Sequence, residues 1–476
     1  MEIEEMPEIY DLLILGSGAG SKLLAWTFAA RGLRVATVER KYVGGACPNI
    51  ACLPSKNVIH TAQIAQDVRR SEEFGISIDH FHIHMPAVRD RKRRMVQGLV
   101  DTHLALFKKS GAELIMASGK FVGPKTLEAT LPDGTKRLLM GKNVVIGTGT
   151  RAAIEDIPGL ALAQPLTHVE ALELDVVPEH LIVVGAGYVG LEFAQAMRRF
   201  GSKVTVIGRS QRILHGEDDD ITEGLQSLFQ DEGIDLALNT RIKNVSGVSG
   251  QSVRVALEHN GVEKSLDGTH LLVATGRVPN TKDIGLELAG VELTKSGYIK
   301  VNERLETTAP GVWAVGEVAG SPQFTHISED DFRVVRDNML GGNRVTTGRQ
   351  VPFCLFTDPE FARVGMSEKE ANARGLDYRL FKVPMAAVLR ARSLMETRGF
   401  LKCLVERDTD NILGFAAFGV GAGEMMGCVQ IAMLGKLPYT ALREAILAHP
   451  TIPEGLIALF SAAPSYQPVH SQTASN

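Results

Sequence analysis

Cys47 and Cys52 stand in the run Gly44-Gly45-Ala46-Cys47-Pro48-Asn49-Ile50-Ala51-Cys52-Leu53-Pro54-Ser55-Lys56, with four residues between them. Two thiols this close, set among glycine and proline, can pass between dithiol and disulfide. Pro54-Ser55-Lys56 reads as the first turn of the helix that carries them. A thiolate near a helix N-terminus is stabilised by unpaired N–H groups and the helix dipole, and a neighbouring cation adds to the effect. A metal clip is the competing chemistry, but no nearby cysteine or histidine completes the four ligands of structural zinc.

His449-Pro450-Thr451-Ile452-Pro453-Glu454 offers a proton carrier. The carboxylate can fix the imidazole tautomer while the other ring nitrogen exchanges a proton with a thiol. Cys354, Cys403 and Cys428 lie in apolar surroundings and read as small core residues.

The elements that must position these groups begin with Asp11-Leu12-Leu13-Ile14-Leu15, a short apolar strand. It runs into Gly16-Ser17-Gly18-Ala19-Gly20-Ser21 and a helical segment from Lys22 to Arg31. Strand, glycine turn and helix bring backbone N–H groups to a place where a pyrophosphate can sit. A second strand, Arg34 to Val38, ends at Glu39, 23 positions beyond Gly16. That carboxylate can accept hydrogen bonds from an adenosine ribose. Ser21 takes the third glycine position and is expected to loosen the helix slightly against the strand.

The arrangement returns in Leu181 to Val184, Gly185-Ala186-Gly187-Tyr188-Val189-Gly190, a helix from Leu191 to Phe200 and a strand from Lys203 to Ile207. Two such units point to two dinucleotides. The position matching Glu39 is Gly208, followed by Arg209. Without the carboxylate nothing repels a ribose 2′-phosphate, and Arg209 can pair with it, helped by Arg212 or His215. NADPH is therefore expected over NADH. The alternative is an exposed arginine beside an NADH bound without its usual acid.

Lys142 to Ile146 leads to Gly147-Thr148-Gly149, and Leu271 to Thr275 leads to Gly276-Arg277, each like a strand leaving a nucleotide-binding unit. Val312 to Val315 meets Gly316-Glu317, where Glu317 could bind ribityl hydroxyls or position a phosphate through water. From about Val351 the pattern changes. Strands are expected at Tyr378 to Val383, Phe400 to Val405 and Leu413 to Phe418, with helices from Glu424 to Leu434 and Tyr439 to Ile446.

The chain has 476 residues, enough for several domains, and a formal charge of -4 that gives no case for nucleic acid or an anionic membrane. The basic run Arg89 to Arg94 reads as the wet side of a helix. No apolar run reaches bilayer length, and the acidic N-terminus lacks the basic region of a signal peptide. A cytoplasmic location without membrane or nucleic-acid partners is expected.

With these residues in place, the chain resembles the class I pyridine nucleotide-disulfide oxidoreductases from about residue 8 to 460. The resemblance is to the mercuric-reductase-like group, which includes the reactive-chlorine-resistance copper(II) reductase. The runs Phe324 to Asp337 and Leu389 to Gly399 carry that finer likeness. It implies an α/β fold of the glutathione-reductase type, with two Rossmann-like nucleotide-binding domains and a C-terminal α+β dimerisation domain. Boundaries are expected as 1–150 and 281–350 for FAD, 151–280 for the nicotinamide nucleotide, 351–465 for the interface domain and 466–476 as a loose tail.

The resemblance also implies roles. FAD would lie along Gly16, Gly18 and Gly20, with Glu39 on its ribose, Glu317 at the usual aspartate position, and Gly45, Thr148 and Gly149 beside it. Gly185, Gly187, Gly190, Arg209, Arg212 and Gly276 would contact the nicotinamide dinucleotide. Cys52 resembles the flavin-proximal sulfur and Cys47 the interchange sulfur. Lys56 would sit near the flavin, paired with Glu192, and Tyr188 would be a lid that moves for nicotinamide. His449 and Glu454 would serve the other subunit's site, which makes the enzyme a homodimer. Cys47 and Cys52 together could hold Cu(II) or Hg(II) as substrate, or reduce a small disulfide. The tail lacks the extra cysteines of the well-known mercuric reductases. Lipoamide dehydrogenase shares His449-Pro450-Thr451 but usually has an acid where this chain has Gly208, and is the alternative. The effect of Pro48 and Ala51 on the dithiol loop, and whether Arg390, Arg392 and Arg398 line an interface, bind an anion or are solvated, are open at this level.

Overall fold

The computed structural model describes residues 6–259 and 261–467. The apolar strand Glu8–Leu15 is central to a seven-stranded sheet. It pairs in parallel with Val35–Glu39 on one side and Lys136–Ile146 on the other. Both neighbours end beside the Gly16 turn, so the loops that follow converge there. Val312–Ala314 returns to pair with Val144 to Ile146 and closes this sheet. A four-stranded parallel sheet, ordered Asp235–Ala237, Lys203–Ile207, His180–Val184 and His270–Val273, forms the second nucleotide unit. Between the units, Thr150–Ala152 pairs antiparallel with Arg277–Pro279 and makes a two-stranded tie.

The C-terminal unit is an antiparallel six-stranded sheet including Tyr378–Pro384, Phe400–Glu406 and Ile412–Gly419. Helix Ala422–Leu434 buries Met425, Met426 and Val429 against it but leaves Ile431 and Leu434 exposed. Among the described residues no helix is long and apolar enough to cross a membrane.

Several expectations are corrected. The second C-terminal helix stops at Arg443, because Tyr439 and Leu442 find the core whereas Ile446 is fully exposed and has nothing to pack on. Ser465–Gln467 is a strand on Tyr378–Leu380, so the loose tail does not begin at residue 466; the rest of it, 468–476, lies outside the described residues. The basic run lies on helix Met85–Ser110, yet Lys92 is buried and pairs with Glu173, while Arg91 binds the Asn57 carbonyl. Cys403 is a core residue, Cys354 is half-buried, and Cys428 is exposed. Ser21 is buried, and its hydroxyl occupies the space left by the missing side chain of Gly147.

Candidate active site

Cys47 lies in the short helix Ala46–Ile50 and Cys52 is the first residue of helix Cys52–Arg69. The Asn49 amide donates to the carbonyls of Val43 and Gly45 at 2.9 and 2.8 Å and pins the loop. Gly45 has φ 83°, and a Cβ there would come within 2.6 Å of the Gly18 Cα, so only glycine lets the cysteine loop lie on the first phosphate-binding turn. Pro48 is buried, and Ala51, with φ -132°, lies outside the left-handed region that would call for glycine. Pro54 falls in the first helical turn, where its absent N–H has no partner to lose.

The two thiols are not equivalent. Cys52 is pulled below the ordinary thiol range by a hydrogen bond from Cys47, helped by Thr325 at 3.3 Å and the positive charge of Lys56, against the opposing effect of burial. Donating that hydrogen bond, together with burial, pushes Cys47 up. The reduced pair is therefore a Cys52 thiolate beside a Cys47 thiol.

Lys56 Nζ is 2.6 Å from Glu192 Oε2, and the other oxygen of this buried carboxylate accepts the Phe356 amide at 3.0 Å. The pair thus ties the cysteine helix to helix Tyr188–Phe200 and to the C-terminal unit. Tyr188 opens that helix, packs edge-on against Phe324 and is pushed up by burial, then by the nearby Glu217 charge.

Glu39 is buried and accepts from Ser17 N and Oγ through one oxygen and from the Lys41 and Tyr42 amides through the other. It already organises the first glycine turn. Gly16 and Gly18 form that turn, and helix Ala19–Ala29 has no side-chain cap, which leaves an N-terminus ready for an anion. Gly20 acts elsewhere, since a Cβ there would meet the Ser328 carbonyl at 2.4 Å; its bare Cα permits the contact with helix Thr325–Met339. Thr148 exchanges hydrogen bonds with Asn280, and Gly149, just beyond it, has open space before its Cα. Glu317 accepts from Arg277 at 3.1 Å and pairs with Thr150, which places it at the two-stranded tie. These turns and carboxylates fit FAD.

A cleft of about 820 Å³ runs along the second unit, lined by Gly185, Gly187, Tyr188, Arg209, Arg212 and Gly276 among others. A Cβ at Gly187 would project into open space, whereas one at Gly190 would strike the Gly185 carbonyl. The Thr275 hydroxyl and His168 Nε2, on residues lining this cleft, have no hydrogen-bond partner among the described residues. Such orphaned polar atoms and an uncapped helix N-terminus at Gly187 fit a pyridine nucleotide. Gly208 is bordered by Leu238 and Ala186, to which a Cβ there would approach within 2.9 and 3.3 Å. Arg209 is mostly exposed and lies 3.4 Å from Glu155, and Arg212 pairs with Asp219 and Glu223.

His449 Nδ1 contacts both oxygens of Glu454 at 2.9 and 3.0 Å, and its ring is largely exposed. Within one chain this pair stands apart from the cysteine contacts described above. Arg398 reaches Asp231 at 2.6 Å and Arg392 the Ala386 carbonyl, whereas Arg390 stays on its own exposed turn near Ser393. Sequence reasoning missed three features made by distant contacts: the Glu155 carboxylate beside Arg209, the buried Asp331 that accepts the Gly316 amide at 2.7 Å, and a Lys22–His103 pair against the cysteine loop. Only the last had a local signal, a lysine directly after the glycine turn.

A thiol pair at a helix N-terminus, lying between two dinucleotide-binding units, defines a flavin- and nicotinamide-dependent disulfide oxidoreductase. The chain belongs to the pyridine nucleotide-disulphide oxidoreductase family, whose model matches residues 10–331, and the dimerisation domain of that family matches 351–459. It is 36% identical over 458 residues to the probable pyridine nucleotide-disulfide oxidoreductase RclA of Escherichia coli strain K12, covering 95% of this chain and 99% of the relative. It is 32% identical to the mercuric reductase of Staphylococcus aureus, over 94% of this chain and 81% of that one. It is 31% identical to the mitochondrial dihydrolipoyl dehydrogenase of Pisum sativum, over 94% and 90%. The solved Cu(II) complex of the HOCl-induced flavoprotein disulfide reductase RclA from Escherichia coli superposes with a TM-score of 0.87 at 34% identity, covering 95% of this chain and 99% of that chain.

Proposed function

We propose that this enzyme takes electrons from NADPH and delivers them, through the Cys47–Cys52 pair, to a soft metal ion such as Hg(II) or Cu(II), or to a small disulfide. The observation that carries this reading is the polarised thiol pair at the N-terminus of helix Cys52–Arg69. FAD, when bound, supplies the two-electron relay between the nicotinamide and the cysteines. As the Cys52 thiolate and the Cys47 thiol become a disulfide, the pair gives up two electrons and one proton. The two electrons reduce one Hg(II) to Hg(0), two Cu(II) to Cu(I), or one disulfide to two thiols, the last drawing its second proton from solvent. Thiolates suit such soft ions, and relatives named mercuric reductase and a Cu(II) complex support the choice.

Gly16, Gly18, Gly45, Glu39, Thr148, Gly149 and Glu317 are assigned to FAD, and Gly185, Gly187, Gly190, Gly276, Arg209 and Arg212 to the dinucleotide. Tyr188 is the lid that moves when nicotinamide binds. Lys56, held by Glu192, fixes the cysteine helix against the second unit. His449, oriented by Glu454, moves the proton of the partner's Cys47 in a cytoplasmic homodimer. Steady-state turnover of purified enzyme with Hg(II), Cu(II) and disulfides tests the reading; loss of turnover in Cys47→Ser and Cys52→Ser with flavin retained is expected.

Lipoamide dehydrogenase is the second reading. Glu155 favours it, because a carboxylate stands in the cleft beside Arg209 where a free ribose hydroxyl could use it. Strong NAD+ reduction by dihydrolipoamide is its signature.

A further inference from the structure

Lys22 lies in the first turn of helix Ala19–Ala29, and its Nζ is 3.0 Å from His103 Nε2 on helix Met85–Ser110. The His103 ring packs on the cysteine loop itself: a Cβ at Gly44 would come within 2.3 Å of its Nδ1. Trp26 backs the pair, with ring centroids 5.8 Å from His103 and the Lys22 ammonium 5.9 Å from the indole. Burial and the adjacent ammonium depress the His103 pKa, which keeps the ring neutral and able to accept from Lys22. Burial also lowers Lys22; Cys47, whenever it ionises, and then Glu329 oppose that. Lys56 is already paired with Glu192, whereas the Lys22 charge acts on Cys47 and favours its ionised form. Lys22, His103 and Cys47 all keep part of their surface accessible.

We infer that Lys22, positioned by His103, is an anion-binding group beside Cys47, and that the oxidant reaching Cys47 carries negative charge next to its reacting sulfur or metal. A bare dication gains nothing from a neighbouring ammonium. A carboxylate-bearing disulfide, or a metal ion delivered as an anionic thiolate complex, gains a charge-assisted hydrogen bond. This rests on the reading of Cys47 as the residue that meets the oxidant, and it narrows the substrate class of that site.

The test uses flavin-loaded enzyme and oxidants matched in chemistry but opposite in charge. One pair is 3,3′-dithiodipropionate against cystamine, and the other is Hg(II) complexed by glutathione against Hg(II) complexed by cysteamine. In Lys22→Met the ratio of kcat/KM for the anionic over the cationic member is expected to fall about 10-fold in both pairs, mostly through KM. Lys22→Arg should retain the preference and His103→Gln should reduce it, with flavin content and Tm reporting on folding. Equal losses for both charges, or an unchanged ratio, overturn the assignment. A drop for the disulfides alone identifies a disulfide oxidant, and a drop for the mercury complexes alone a metal complex; either supports the anionic class. Turnover that survives Cys47→Ser and ignores Lys22 overturns the underlying reading and this assignment with it.

Discussion

At the scale of single residues, the proposed function depends on unequal charge within one pair of thiols. Cys52 is depressed by its hydrogen bond from Cys47, by Thr325 and by Lys56. A depressed thiol stabilises the folded, reduced protein above the ordinary thiol pKa of about 8.5. That contribution is lost as pH falls through the folded value. Thiolate ultraviolet absorbance of the reduced, flavin-free protein should therefore persist well below the ordinary thiol range and vanish in Cys52→Ser; titration at the ordinary value would contradict it. In the proposed NADPH site a few side chains would also decide cofactor choice. Glu155 lies 3.4 Å from Arg209 and would share it with an arriving 2′-phosphate. Glu155→Gln is expected to lower the KM for NADPH about 3- to 5-fold, the scale of an exposed ion pair, with little change for NADH. Arg209→Gln should do the reverse for NADPH.

At the scale of elements, the second nucleotide unit is fastened to the C-terminal unit by charges centred on helix Asp219–Asp231. The buried Lys402 ammonium lies 2.8, 2.7 and 2.8 Å from Asp218, Asp220 and Glu368. Those three carboxylates are the sole cluster of three or more potential metal ligands among the described residues, and the lysine fills it. Lys402→Met leaves three carboxylates around an apolar side chain and should destabilise the protein by about 3–5 kcal/mol, read by denaturant unfolding. Asp220 is lowered, with burial opposing and Lys402 favouring its charge, so its contribution is present above the ordinary carboxylate range and lost as pH falls through its folded value. Lys402 is raised, so its contribution is lost at the alkaline end.

Much of the candidate site is legible in the sequence because its signals are local. The cysteine pair, both glycine turns, Glu39 and His449 with Glu454 lie in short runs whose spacing carries the chemistry. Lys402, Glu155, Asp331 and His103 were not legible, because each acquires its role from a partner far along the chain. The same holds for Lys92, which reads as one more charge in a basic run until Glu173 is folded against it. Gly20 shows the converse case, a glycine in the right motif whose space is used by Ser328.

At the scale of the whole molecule, His449 and Glu454 form a finished pair at the surface of one chain, and Ile431, Leu434 and Ile446 are exposed apolar residues in the same domain. An assembly in which His449 serves the partner's thiols accounts for both. Cys47→Ser and His449→Ala homodimers should each be severely impaired, whereas co-expressed heterodimers should regain activity at one of their two sites. Absence of complementation would place the proton carrier within the same chain. The proposed reaction carries electrons from NADPH through Cys47 and Cys52 to an external oxidant. Its most direct test is anaerobic reduction of the flavin enzyme by NADPH or NADH, followed by Hg(II), Cu(II), lipoamide or glutathione disulfide, with Cys47→Ser as control. Faster reduction by NADPH and reoxidation by a metal ion or small disulfide that requires Cys47 is the predicted result. Preference for NADH with reoxidation by lipoamide would contradict it.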